Sequence, residues 1–102
     1  MAGQIVMLDV SDRFNPKQLS IVSFGANAGP HNLVLNDDDS RLVVTDYFLN
    51  EDNAGIIHFE GDHKVHVLKV THDTLTEDKQ FHLDFNTAFK TGPARPHGIA
   101  MK

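Results

Sequence analysis

Residues 31–48 read HNLVLNDDDSRLVVTDYF, which places a polar segment between two short runs rich in β-branched and aromatic residues. Runs of this kind predict strands, and the Asn-Asp-Asp-Asp-Ser segment predicts the turn of a hairpin. Further runs of the same character lie at residues 4–10, 19–24, 64–70, 81–85 and 97–101. No window of about 11 residues keeps a helical period, so the sequence predicts an all-β, antiparallel fold.

Two parts of the chain resemble each other at a spacing near 60 residues. The landmarks that recur are Leu8-x-Val10 with Leu68-x-Val70, Phe24 with Phe85, and Pro30-His31 with Pro96-His97. A repeat of this length, with about four strands in each period, is typical of β-propeller blades. We therefore expect a partial propeller of four-stranded blades, about one and three-quarter blades in all. It comprises the end of one blade at 1–28, one full blade at 29–93 and the first strand of the next at 94–102.

The composition limits the class of protein. The chain has 102 residues and a formal net charge of −5, so it lacks the basic face that a nucleic-acid partner requires. No apolar run approaches the roughly 18–20 residues of a membrane span. The N-terminal residues lack a signal-peptide pattern, so the cytoplasm is the default expectation. The absence of cysteine excludes disulfides and thiolate catalysis by this chain.

Four longer motifs together resemble the C-terminal part of the selenium-binding protein family, which includes the bacterial methanethiol oxidases. They are GPHNLVLNDDDSRLVVTDYFLNEDNAG at 29–55, GDHKVHVLKV at 61–70, FHLDFNTAF at 81–89 and GPARPHGIAMK at 92–102. The resemblance implies a propeller, seven-bladed in the full-length family, and in the enzymes a copper-dependent oxidation of methanethiol through histidine ligands. It leaves a periplasmic location open for the parent family. Full-length members carry an adjacent His-His pair in N-terminal blades, and no two histidines are adjacent here.

His31 and His97 are the candidate metal ligands. Each follows a proline at the start of a predicted inner strand, and inner strands line the central channel of a propeller. Neutral imidazole suits copper, zinc or iron. By its position near the C-terminus, His97 is the better match to a copper ligand implied by the family resemblance. In the alternative, each Pro-His pair has only a structural role at the start of its strand, and the imidazole donates a hydrogen bond to a neighbouring backbone carbonyl.

Other polar residues have less specific signals. Arg95 stands between two prolines, where it holds an anion or pairs with Asp84 or Asp46 to fix the start of a strand. Asp46 also flanks the long loop at 49–62, as a loop carboxylate. The spacing of His58, His63 and His66 resembles a metal motif. Alternation along a strand points His63 and His66 to opposite faces, which argues against a shared metal ion. We therefore expect these histidines to be solvated.

Three functions stay open from the sequence. The first is a non-catalytic structural or binding module, a selenium-binding-protein-like propeller fragment that lacks the family's N-terminal site. The second is an oligomer-assembled copper-binding protein related to methanethiol oxidase, which uses His97 and His31. Only such an assembled site would make the chain an enzyme. The third is a scaffold that binds a partner protein or a ligand through the loop at 49–62.

Exposed edge strands predict a homo-oligomer, because edges recruit further strands and cyclic closure removes them. A small sandwich-like monomer with covered edges is the alternative. The residues themselves require no cofactor and identify no small-molecule substrate; copper and methanethiol enter only through the resemblance.

Overall fold

The computed structural model describes residues 3–58 and 60–102, and within them the chain is all-β and antiparallel. The strands in this part of the chain are β1 (Gln4–Asp9), β2 (Lys17–Ser23), β3 (Pro30–Leu35), β4 (Arg41–Asp46), β5 (Asn50–Glu51), β6 (Ile57–His58), β7 (Lys64–Val70), β8 (Leu75–Glu77) and β9 (Leu83–Asp84). The predicted all-β class is confirmed, and no sheet formed by the described residues is closed.

The largest sheet is an antiparallel meander with the order β3-β4-β7, followed by two short strands along the far edge of β7. β8 pairs with the C-terminal half of β7, where Val70 faces Leu75, and β9 pairs with its N-terminal half, where Lys64 faces Asp84. The two short strands therefore share the fourth position of the sheet.

The hairpin predicted at 31–48 is formed by β3 and β4, and side chains close its turn. Oδ1 of Asn36 accepts the Arg41 N–H at 2.8 Å, and Oδ1 of Asp38 accepts the Ser40 N–H at 3.0 Å. Asp39 has a φ of 57°, in the left-handed region that aspartate tolerates better than most residues. The Asn-Asp-Asp-Asp-Ser composition thus acts through local side-chain bonds to the backbone.

A second layer, the β1–β2 hairpin, packs on one face of the large sheet. Its partly buried side chains Ile5, Met7 and Val22 pack against a core of Val44, Leu68 and Leu75. One polar contact joins the layers as well, because the Leu75 N–H donates to Oγ of Ser20 at 3.0 Å. The interior of the molecule therefore lies between β1–β2 and the strands β4, β7 and β8.

The sequence repeat corresponds to a repeated hydrogen bond. Phe24 follows β2, and Phe85 follows β9. Their N–H groups donate to the carbonyls of Gly3 (2.9 Å) and His63 (2.8 Å), the residues just before β1 and β7. The β1–β2 hairpin and the β7–β8–β9 unit thus share this closing hydrogen bond.

The structure differs from the expected strands at three places. Residues 97–101, expected within the first strand of the next blade at 94–102, form no strand; the described chain supplies no neighbour to pair with them. The run at 81–85 contributes only the short β9, and β8 was not predicted. The loop expected at 49–62 contains the small hairpin β5–β6, and its Phe59 lies outside the described residues.

Candidate functional site

The two candidate metal ligands come together beside a tyrosine. The rings of His31 and His97 stack with centroids 4.8 Å apart and an interplanar angle of 24°. The ring of Tyr47 presents an edge to His97 at 4.5 Å and lies 5.6 Å from His31. We call these three residues the ring cluster.

A bulge in β3 places His31 in this cluster. Pro30 pairs with Asp46 and Asn32 with Thr45, so His31 is an extra residue between two paired positions. A bulge of this kind re-aims a side chain and ends regular pairing. The Tyr47 N–H donates to the Gly29 carbonyl at 2.8 Å just beyond it, which holds the tyrosine at the same end of the sheet.

The ring cluster offers a metal two imidazoles from this chain. Within residues 3–58 and 60–102, no group of three or more histidine, cysteine or acidic side chains could hold an ion. The two ring planes are nearly parallel, so an ion that binds both through in-plane nitrogen atoms would lie at the rim of the stack. Copper accepts imidazole ligands, so the pair fits it in part and needs further donors.

A second polar centre surrounds His66, on the face of β7 that β1–β2 covers. Nε2 of His66 lies 2.8 Å from Oδ2 of Asp46, and Nδ1 lies 3.1 Å from Oε1 of Glu77. Asp46 is fully buried, and the ring of Phe24 stacks on the imidazole at a centroid distance of 3.9 Å. Oδ1 of Asp46 has no hydrogen-bond partner within the described chain.

These contacts raise the pKa of His66 above its ordinary value of 6.5. Burial of the imidazole is the largest single influence and lowers the pKa. The hydrogen bonds and negative charges of Asp46, and then those of Glu77, together outweigh it. The structure thus favours an imidazolium held between two carboxylates.

The expectation that His63 and His66 are solvated is wrong. The β1–β2 layer reaches His66 through Phe24 and excludes water from that side of β7, while His63 is only 6% exposed. A signal for His66 was present in the sequence, because it shares a strand face with the apolar Leu68 and Val70. The partners Asp46 and Glu77 depend on strand register, which the sequence did not provide.

Each histidine of the H-x4-H-x2-H motif contacts different partners. Nδ1 of His63, one residue before β7, lies 2.8 Å from Oδ1 of Asn86, and Nε2 of His58 lies 2.8 Å from Oδ2 of Asp52. The hydrogen bond from His58, with those from the Ile56 and Ala54 N–H groups, lowers the pKa of Asp52. These contacts give each histidine a local structural role and do not gather the motif around one ion.

Arg95 and Asp46, the other two predicted site residues, lie in different surroundings. Arg95 is exposed and lines an open cleft of about 640 Å³ with His63, Asn86 and the ring-cluster residues Tyr47 and His97. Asp46 is buried and accepts the hydrogen bond from His66. The structure therefore associates Arg95 with the His97 end of the sheet.

Comparison with known proteins adds no relative to this picture. No family model matches the chain, and no curated protein or solved structure matches it significantly. Among the described residues, no helix is long and apolar enough to cross a membrane. The resemblance to the selenium-binding protein family stays a prediction from the motifs quoted above.

Proposed function

We propose that this chain is a non-catalytic β-propeller-type module, similar to the C-terminal part of the selenium-binding protein family, which works by assembling with further copies. The observation that carries this proposal is an uncovered apolar face on β1–β2. Its side chains alternate with those that pack on the core, and all are more than 40% exposed: Val6, Leu8, Leu19 and Ile21.

The internal repeat indicates what covers this face. Leu8 and Val10 are the repeat equivalents of Leu68 and Val70, which β1–β2 itself covers. The covering side chains include Ile5 and Met7, whose equivalents at the same offset of 60 lie on the other face of β7: Val65, which is buried within the chain, and Val67, which is half-buried. The face of β7 around the half-buried Val67 in one copy would therefore cover the exposed Leu8 face of β1–β2 in the next.

Such a contact joins copies head to tail, which builds a ring when the rotation closes. It also adds apolar area to the edge-strand pairing predicted from the sequence. Exposed apolar patches of this kind mark protein interaction sites in soluble proteins. A structural or binding module of this kind works through its assembly, so it requires no catalytic group in this chain.

The test is the solution mass by light scattering after size exclusion. We expect several times the chain mass of 11.4 kDa for the wild type. Leu8→Lys combined with Ile21→Lys should reduce the mass to that of one chain, because it places charge on the proposed contact. Phe14→Lys, in the β1–β2 turn and 79% exposed, is the matched control and should leave the mass unchanged. A wild type that is monomeric at all concentrations overturns the proposal.

Copper binding by His31 and His97 is the second candidate function, supported by their stacking at 4.8 Å. Assembly would supply the further donors that two imidazoles lack, and an oxidase-like activity would depend on that site. Protein expressed with ample copper should carry stoichiometric metal, and His97→Ala should remove it, whereas His72→Ala in an exposed turn should not. Metal-free wild type under these conditions argues against this function.

Partner binding through residues 49–62 stays a further prediction. Ile56 and Ile57 are 58% and 52% exposed near the start of β6, so the loop offers some apolar surface to a partner protein. Shortening this loop should then abolish capture of that partner without changing the metal content.

A further inference from the structure

The cleft beside the ring cluster has a lining unlike the rest of the chain. It combines the phenol of Tyr47, the amide of Asn86, the guanidinium of Arg95 and the imidazoles of His63 and His97. The chain carries 14 acidic residues, yet no carboxylate lies among the described residues that line this cleft. An acidic protein thus presents one recess with a cation and several hydrogen-bond donors.

His63 adds an acceptor with no partner. It is 6% exposed, and its Nδ1 lies 2.8 Å from Oδ1 of Asn86, an atom that can only accept. In the tautomer that matches this contact Nδ1 donates to Oδ1, and Nε2 is then an acceptor. No group in the described chain donates to this buried Nε2. Buried polar atoms are nearly always paired, so an unpaired one on a cleft-lining side chain needs a partner from outside the chain, which a bound ligand can supply.

We propose that this cleft binds a small oxyanion that also carries an O–H group, such as a 2-hydroxycarboxylate or hydrogen phosphate. The hydroxyl donates to Nε2 of His63. The anionic oxygens lie toward Arg95 and the amide of Asn86, because a guanidinium is well suited to carboxylate and phosphate geometry. All of these groups come from one chain, so the binding requires neither self-assembly nor a metal at the ring cluster.

The test compares three probes on protein freed of metal by dialysis against a chelator. Glycolate and acetate have the same charge and differ by one hydroxyl, and inorganic phosphate carries its own O–H. We expect glycolate to bind about tenfold more tightly than acetate, the usual value of one hydrogen bond to a buried acceptor. The ¹⁵N resonance of Nε2 of His63 should shift with glycolate or phosphate and stay in place with acetate.

The relative affinities of glycolate and phosphate then show which chemical source the site prefers, and tight binding of either one supports the proposal. An unmoved Nε2 resonance, no binding of all three probes, or equal binding of glycolate and acetate without tighter binding of phosphate overturns it. These readouts use the wild type, so they do not depend on whether a His63 variant folds.

Arg95→Gln supplies the independent test of the anion subsite. Because Arg95 is exposed, the variant should fold, and we expect it to weaken the preferred probe about tenfold through the lost charge. Arg41→Gln, an exposed arginine at the hairpin turn, is the matched control and should bind as the wild type does. Unchanged binding by Arg95→Gln contradicts the proposed site even if the module assembles as described.

Discussion

Oδ2 of Asp46 lies 2.8 Å from Nε2 of His66, and the carboxylate is fully buried. Glu77 contacts the other ring nitrogen, so one imidazole links the strands β4, β7 and β8. A buried carboxylate is costly unless it is paired and hydrogen-bonded. His66 therefore stabilises this end of the interior mainly while it is protonated.

Stability should fall as the pH rises through the neutral range. The pKa of His66 in the folded chain is raised above 6.5, its ordinary value, so the folded state binds the proton more tightly than the unfolded state. The extra stability is complete below the unfolded pKa and is lost as the pH rises through the folded pKa. Urea midpoints measured from about pH 6 to about pH 8.5 should decrease accordingly.

His66→Gln should flatten this dependence, because glutamine carries no proton that titrates. His72→Gln, at an exposed turn, is the control and should keep the wild-type slope. A wild-type midpoint that rises with pH over the same range would contradict the assignment to His66.

Asp46→Ala should cost about 3 kcal/mol of unfolding free energy near pH 6, since it removes one partner of a buried charge pair. Asp46→Asn should cost less, because the amide oxygen can still accept from Nε2 of His66. Both changes should lower the pKa of His66, which can be followed by NMR titration. Asp37→Ala, in the exposed hairpin turn, is the control for losing one negative charge. Equal losses for Asp46→Ala and Asp37→Ala would show that the buried pair contributes nothing.

Leu68→Ala should destabilise the fold by about 2–5 kcal/mol, because Leu68 is fully buried and its truncation leaves a cavity in the core. That loss is a large part of the roughly 5–15 kcal/mol that stabilises a small domain. Leu8→Ala changes the repeat-equivalent leucine, which is 50% exposed, and should cost much less. Urea unfolding of both variants at low protein concentration, where self-association is weakest, measures the difference. Similar losses would mean that Leu8 is buried too.

Gly61→Ala should destabilise the chain, because a Cβ there would lie 2.3 Å from Cβ and Cγ of Phe48. Those atoms are close to the backbone and cannot move aside without shifting the segment after β4. We expect a loss of about 1–3 kcal/mol, the usual cost of overpacking. Gly98→Ala has nothing within 4 Å of the added carbon and should be neutral in the same thermal unfolding measurement. A stable Gly61→Ala would mean that Phe48 is not tightly packed there.

Much of the strand pattern could be predicted from local sequence. The predicted strand at 64–70 matches β7, and the hairpin at 31–48 appears with its polar turn. Alternation and turn composition are local properties, which is why they succeed. The prediction failed at 97–101, where a strand needs a partner, and at β5–β6, which the polar composition of the loop obscured.

The site shows the same division between local and distant information. The Pro-His pairs indicated His31 and His97 as related residues, but their stacking depends on a bulge that forms only when β3 pairs with β4. His63 was expected in solvent, yet it is buried against Asn86, 23 residues further along the chain. No local pattern specifies such a partner, because side chains distant in sequence meet only through register and layer packing.

The sequence by itself determined the all-β class, the main hairpin and the internal repeat, because each depends on residues close to one another or on a regular spacing. Only the tertiary structure decided which face of β7 is covered, which carboxylates reach His66, and that Nε2 of His63 lies buried without a donor. Those outcomes depend on how one layer packs on another, and burial turns an ordinary polar side chain into one that needs a partner.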